Sequence, residues 1–227
     1  NYYGELDSNL NNPPHDSTLY EVASISKIFV GSLAANAVLE KKINLDDDIR
    51  IYLPNEYPNL QFENTPITIK NLLTHTLGFK NKTPKRLKEI NQKIDEYYYE
   101  NRPFNYSMSD FFEELKSVEL DKKPGTHYDY NSLGPEIVAI ILEKVYDQKY
   151  AVLLNDFFTE LDLRNTYLQE YDSHKKWLAN SYNEDKKRAP LEKNPLLGGG
   201  YGIISTLPDL TKFMKFQLES KNPLIKE

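Results

Sequence analysis

Apolar residues between positions 24 and 40 fall at Ile28, Phe29, Leu33, Val38 and Leu39, which is helical spacing. Gly31, Ser32, Ala34, Ala35 and Ala37 sit between them, so this helix is predicted to pack tightly on most sides, as a central core helix does. The residues before it, 1–20, are polar and Pro-containing and read as a lead-in loop or short strand. Asn44-Leu45-Asp46-Asp47-Asp48 opens a second segment that ends at Pro54, and loop composition follows to about Asn64. Thr65-Pro66-Ile67-Thr68 leads into a short helix from Ile69 to Thr74, closed by Gly78. Residues 80–120 are charged with a helical period, and Ser109-Asp110-Phe111-Phe112-Glu113 reads as a capped start. A turn at Pro124-Gly125 precedes two further helices, Leu133 to Val145 and about Ala151 to Leu161. Residues 165–195 are polar and turn-rich. Gly198-Gly199-Gly200 precedes a short extended segment at Ile203-Ile204, and Thr206-Leu207-Pro208-Asp209 has the spacing of a capped helix start. The pattern predicts a mostly helical chain with little strand, no internal repeat and no low-complexity stretch.

Composition narrows the classes. With 227 residues, 39% hydrophobic and 27% charged, the chain can bury a core, and it reads as an ordinary globular protein rather than a disordered one. A net charge of −6 and the absence of any concentrated Lys/Arg stripe argue against nucleic acid. The run from Lys80 to Lys88 comes closest, but Glu89, Asp95 and Glu96 follow it, as on a solvated helix face. There are no cysteines, which excludes disulfides, thiol catalysis and thiolate metal sites. The longest apolar run, Ile137 to Leu142, is far short of the roughly 20 residues of a membrane span. His15, His75, His127 and His174 are scattered without an HExxH cluster, so neither a zinc hydrolase nor any cofactor is expected.

The chemistry begins at Ser24-Ile25-Ser26-Lys27. In a helix, residues three apart share a face, so the Ser24 hydroxyl and the Lys27 amine can meet. A serine hydroxyl is a weak nucleophile until a neighbouring base takes its proton. Lysine can be that base when burial or another cation lowers its pKa, and the apolar helix beyond is expected to supply the burial. The bare S-x-x-K pattern also arises by chance, and Ser173-His174-Lys175-Lys176 matches it. That second copy lies in a polar stretch with nothing to desolvate its lysine.

The surroundings of Ser24 carry a resemblance. Val22-Ala23-Ser24-Ile25-Ser26-Lys27-Ile28-Phe29, then Lys42-Ile43-Asn44-Leu45-Asp46-Asp47, Tyr52-Leu53-Pro54 and Ile67 to Gly78 follow one another as in the penicillin-binding-protein and class C β-lactamase superfamily. The last string, Leu72-Leu73-Thr74-His75-Thr76-Leu77-Gly78, is similar to the family's L-L-T-H-T-S-G, with Leu77 replacing the usual serine. By this resemblance His75 belongs to a structural turn near the site. Pro124-Gly125-Thr126-His127-Tyr128-Asp129-Tyr130-Asn131-Ser132-Leu133-Gly134 looks like the family's P-G-T-x-x-x-Y-S-N-x-G. It makes Tyr130 the second proton carrier, a phenol whose ionised form the Lys27 charge would favour. The chain departs from the pattern two residues later. Ser132 stands where the family has Asn, and Asn131 sits one residue early. The substrate-binding role expected at Asn131 and Ser132 is therefore in question, since serine cannot offer both an amide donor and a carbonyl acceptor. Tyr57-Pro58-Asn59 and Ser181-Tyr182-Asn183 match fragments of the motif without its Pro-Gly-Thr context.

Further on, Glu136 to Val145 and Phe157 to Tyr167 resemble the family's helix pair, and Gly199 to Phe213 its G-G-x-x-S-T-x-x-D-L segment. The triple glycine lacks the following Lys-Ser or Lys-Thr of a phosphate loop and suits close backbone approach instead. The family's third motif, K-T-G or H-x-G, does not occur before Glu227. Residues 1–227 are thus expected to be one β-lactamase-like domain, incomplete at the C-terminus and possibly at the N-terminus. The resemblance implies an α+β fold, a helical lobe against an antiparallel-sheet lobe with much of the sheet missing. It implies a serine hydrolase that cleaves a β-lactam, a D-amino-acid peptide or a small ester through an acyl-enzyme. The partner would then be a small-molecule or peptide substrate, and the location the bacterial exterior or periplasm. A catalytically inactive relative serving as a binding or scaffold protein stays open, supported by Ser132 and the absent third motif. An α/β-hydrolase is disfavoured, as no G-x-S-x-G occurs.

Overall fold

A computed structural model of the chain describes residues 2–7, 11–81, 85–92, 106–191, 194–219 and 223. Asp95 and Glu96, and part of the Lys80 to Lys88 run, lie outside the described residues. The central helix forms as the pattern predicts, with a different first turn. A 3-10 turn, Ala23–Ile25, precedes α1, Ser26–Leu39. Its interior face buries Phe29, Val30, Leu33, Ala34 and Ala37. The small residues let neighbours close in: α1 packs on α5 (Leu133–Tyr146) and α6 (Tyr150–Glu160), and α5 packs on α2 (Ile69–Leu73). Phe29 stacks on Phe213 of α8 (Leu207–Leu218) at 3.9 Å and meets Phe158 of α6 edge-on at 5.4 Å, so one aromatic cluster ties three helices.

A three-stranded antiparallel sheet lies beside these helices in the order β1, β5, β4: β1 is Leu19–Glu21, β4 Thr166–Leu168 and β5 Ile203–Thr206. The register pairs Tyr20 with Ser205 and Thr166 with Ser205. Every residue of β5 is buried, as expected of a central strand. Thr206 then caps α8, its hydroxyl accepting from the Asp209 amide, with Pro208 in the first turn.

Three expectations need correction. The stretch expected as loop up to Asn64 opens into a hairpin, β2 (Gln61–Phe62) with β3 (Thr65–Pro66). Strands of two residues carry no readable alternation. The polar 165–195 region contains β4 and a one-turn helix, α7 (Tyr171–His174), because pairing with distant β5 stabilises a strand that its own composition does not announce. The expected capped start at Ser109 lies two residues early, at Ser107. The hydroxyl of Ser107 accepts from the Asp110 amide and the Asp110 carboxylate accepts from the Ser107 amide, which sets the start of α4, Met108–Leu115. Upstream, α3 spans Lys85–Gln92. Among the described residues, no helix is long and apolar enough to cross a membrane.

Candidate active site

Two bonds to a single residue of β5 fix the turn that carries Ser24. The Val22 amide donates to the Ile203 carbonyl at 3.1 Å, and the Ile203 amide donates to the Ser26 hydroxyl at 3.3 Å. Between these anchors Ala23 is left-handed, with φ of 46°, a conformation that costs an L-residue about 1–2 kcal/mol. The result is a tight turn that buries Ser26 completely and leaves Ser24 exposed.

Lys27 and Tyr130 converge on that hydroxyl. Lys27 Nζ donates to Ser24 Oγ at 3.0 Å and to the Gly200 carbonyl at 2.7 Å. Tyr130 O–H donates to Ser24 Oγ at 2.7 Å, and Lys27 Nζ stands 5.1 Å from the Tyr130 ring centre. A hydroxyl oxygen has two acceptor sites, and both are filled here. Ser24 therefore keeps its own proton until one of the two neighbours loses one. Burial pushes the Tyr130 hydroxyl up, but its ionised form would accept hydrogen bonds from Ser24 and Lys27, and these together with the Lys27 charge outweigh burial and hold it below its ordinary value. Lys27 is less enclosed than the apolar helix suggested. It is half-buried, and Ile25 and Ile28 on either side of it in sequence stay exposed.

Tyr130 is brought in by the turn at His75. That residue is left-handed, with φ of 55°, directly after α2. Its carbonyl accepts from the Asp129 amide at 2.8 Å, and the Thr76 carbonyl accepts from the Gly125 amide at 2.8 Å. The His75 ring lies 4.6 Å from the Tyr130 ring and edge-on to Tyr128 at 6.0 Å. Burial first, then the Lys27 charge, hold the imidazole below its ordinary range and so neutral.

Asn131 and Ser132 do not join the Ser24 cluster. The Asn131 side chain donates to the Asp129 carbonyl at 2.9 Å and accepts from the Gly134 amide at 3.0 Å, so it holds the turn into α5. Ser132 precedes α5 and packs against Gly200, where an added Cβ would lie 2.8 Å from its own. The chance matches have other uses. Asn59 donates to the Leu115 carbonyl at the end of α4 and to the Val118 carbonyl just after it, and Lys176 of the second S-x-x-K lies over the Trp177 ring.

Sequence reasoning passed over Glu136 and Asn194. Glu136 is buried in α5, and its carboxylate accepts from the amides of Gly198 (3.2 Å) and Gly200 (2.8 Å) and from Asn194 Nδ2 (2.6 Å). The available signal was a lone acid inside the apolar run Leu133 to Leu142. A groove of about 300 Å³ beside the turn is lined by Tyr2, Tyr20, Val22, Ile25 and Leu207, and Ser24 is not among its lining residues. No group of side chains among the described residues is arranged to hold a metal ion.

The Beta-lactamase family's sequence pattern matches residues 1–226. The chain is 26% identical over 220 residues to a beta-lactamase of Providencia stuartii, an alignment covering 96% of this chain and 52% of that protein. It superposes on the octameric penicillin-binding protein homologue from Pyrococcus abyssi with a TM-score of 0.78 at 22% identity, over 98% of this chain and 50% of that one. For a beta-lactamase/D-alanine carboxypeptidase from Pseudomonas syringae the TM-score is 0.76 at 23% identity, over 98% and 58%. The chain thus spans about half the length of the curated relatives it matches. At these identities the structural likeness establishes the β-lactamase/transpeptidase-like fold alone.

Proposed function

The chain belongs to the Beta-lactamase family, and from that premise we propose that the whole protein is a serine hydrolase with Ser24 as nucleophile and Lys27 and Tyr130 as its proton carriers. The observation that carries this reading is the convergence of both side chains on one exposed hydroxyl, at 3.0 and 2.7 Å. The reaction starts when Lys27 or Tyr130 is unprotonated. That group takes the Ser24 proton as Oγ bonds to the carbonyl carbon of an amide or ester. The tetrahedral adduct collapses, the bond to the leaving nitrogen or oxygen breaks, and the captured proton passes to the leaving group. Water then attacks the acyl-enzyme by the same route in reverse and frees Ser24.

The depressed Tyr130 hydroxyl supports its part, because its phenolate is more available near neutral pH than that of an ordinary tyrosine. Lys27 has a second partner in the Gly200 carbonyl, which supports a role in holding as well as moving protons. The substrate is a β-lactam, a peptide ending in a D-amino acid or a small ester, and the setting is the bacterial exterior or periplasm. Ser132 in place of the family's Asn favours the second reading, an inactive relative that binds such ligands. Turnover separates the two. The whole protein is offered a chromogenic cephalosporin, a nitrophenyl ester and a peptide ending in D-Ala-D-Ala, beside Ser24→Ala. Hydrolysis of at least one, lost in the variant, supports the enzyme. Binding of any of them without turnover supports the inactive relative.

A further inference from the structure

Glu136 is 3% exposed, inside a helix whose neighbouring positions are Leu133, Ile137 and Ile140. Burying an unpartnered carboxylate costs several kcal/mol, so such a group is tolerated only with donors around it. Its donors come from one short stretch. Gly200 and Asn194 bond one oxygen and Gly198 the other. Asn194, 6% exposed, extends the network: the same Nδ2 donates to the Tyr201 carbonyl at 2.9 Å, and its Oδ1 accepts from the Leu196 amide at 2.8 Å. The 194–201 segment is therefore wrapped around a single carboxylate. The Gly200 carbonyl takes the Lys27 ammonium at 2.7 Å, and Lys27 in turn reaches Ser24.

We propose that Glu136 is a positioning residue: it fixes the Gly198–Gly200 loop so that the Gly200 carbonyl holds Lys27 against Ser24. Glu136 never touches substrate. Its effect on the reaction runs through one backbone peptide and one amine. The inference rests on the reading of Ser24 as nucleophile. It also accounts for how Lys27 stays in place in a chain with Ser132 at the family's Asn position, because the loop carbonyl supplies the acceptor.

The test is a double-mutant cycle on the rate at which a fluorophosphonate probe labels Ser24 in the whole protein, using wild type, Glu136→Gln, Lys27→Ala and the double variant. Glutamine keeps the shape but presents an amide donor to a loop that already donates. Glu136→Gln is expected to label about 10- to 100-fold more slowly, the size of effect that small misplacements produce. On the Lys27→Ala background the same change is expected to alter the rate less than about two-fold, since the group it positions is gone. Amide exchange across residues 198–202 is expected to speed up at least about ten-fold in Glu136→Gln as the loop loosens. Should that variant melt below the assay temperature, Glu136→Asp replaces it, keeping the charge while withdrawing the oxygens by one methylene. A variant that labels at the wild-type rate, an equal loss on both backgrounds, or unchanged loop exchange overturns the proposal. A wild type that takes no adduct overturns the nucleophile reading and this inference with it, whereas a labelled wild type and an unaffected variant overturn this inference alone.

Discussion

A methyl group on Gly199 perturbs the contact between the Gly200 carbonyl and Lys27 from its backbone side. A Cβ there would lie 2.3 Å from the Pro135 carbonyl oxygen, 2.9 Å from its carbon and 3.1 Å from Ala139 Cβ, where ordinary contact begins at 3.4 Å. The shortfall from 3.4 to 2.3 Å is about 1.1 Å. Pro135 belongs to the buried first turn of α5, so the loop has to move rather than the helix. A similar shift of the adjoining Gly200 carbonyl would stretch its 2.7 Å bond with Lys27 to roughly 3.8 Å, beyond hydrogen-bonding distance. Misplacement by 1 Å costs about 10²-fold in rate, or about 2.7 kcal/mol of barrier. Overpacking adds a stability loss of about 1–3 kcal/mol, which lowers Tm by roughly 2–4 °C for each kcal/mol in a chain of this size. Gly199→Ala in the whole protein is therefore assayed twice, by thermal melt and by the fluorophosphonate labelling rate at a temperature where it is fully folded. A folded variant that labels within about three-fold of wild type would refute the reasoning, because the loop would then have moved without consequence for Ser24.

Tyr130→Phe removes the hydrogen bond to Ser24 and, on the proposed function, a proton carrier with it, and labelling is expected to fall about 10²- to 10⁴-fold. The wild-type rate should rise with pH to an inflection below the ordinary tyrosine value; an inflection that survives in the phenylalanine variant would show that another group titrates. Burial raises the Glu136 carboxyl, opposed by the Gly200 amide, Asn194 and the other loop amides. A raised folded value means that the stability linked to its protonation is full at acid pH and is lost as pH climbs through that value. Tyr150 is pushed well above its ordinary range and stays protonated throughout, so the Tm of Glu136→Gln should gain on wild type between pH 4 and 8, and melts showing it falling further behind would contradict this. Ala23→Gly relieves a left-handed alanine at a backbone-entropy cost of about 0.5–1 kcal/mol, for a net gain of up to about 1.5 kcal/mol and a Tm higher by up to roughly 3–6 °C. A lower Tm would mean that the turn is not strained.

What the sequence disclosed follows from which interactions are local. The small and apolar residues of 24–40 imply a packed helix, and the helix is there with Phe29, Val30, Leu33, Ala34 and Ala37 buried, although Ile28 and Leu39 stay exposed. The i, i+3 spacing of Ser24 and Lys27 likewise guarantees proximity without knowledge of the rest of the chain. Tyr130 came from a motif: no local rule brings together residues 106 positions apart, and here the His75 turn does it. Strand β4 was illegible because its three residues depend on distant β5, and β2 and β3 because two residues each are too few to show alternation. Asn131 and Ser132 were visible as a departure from a pattern, yet only the folded chain engages the Asn131 amide in its own turn. Glu136 had a signal, a charge inside an apolar run, but its purpose depends on the Gly198–Gly200 loop some 60 residues later, which sequence spacing does not connect to it.

The central claim is that Ser24 is an activated nucleophile, and the most direct measurement is intact mass of the whole protein before and after a fluorophosphonate probe, with peptide mapping and a Ser24→Ala control. One adduct per chain, mapped to Ser24 and absent from the control, is the predicted result. No adduct on a folded protein, or an adduct that persists in Ser24→Ala, contradicts the account and leaves the inactive, ligand-binding relative as the better description of this family member.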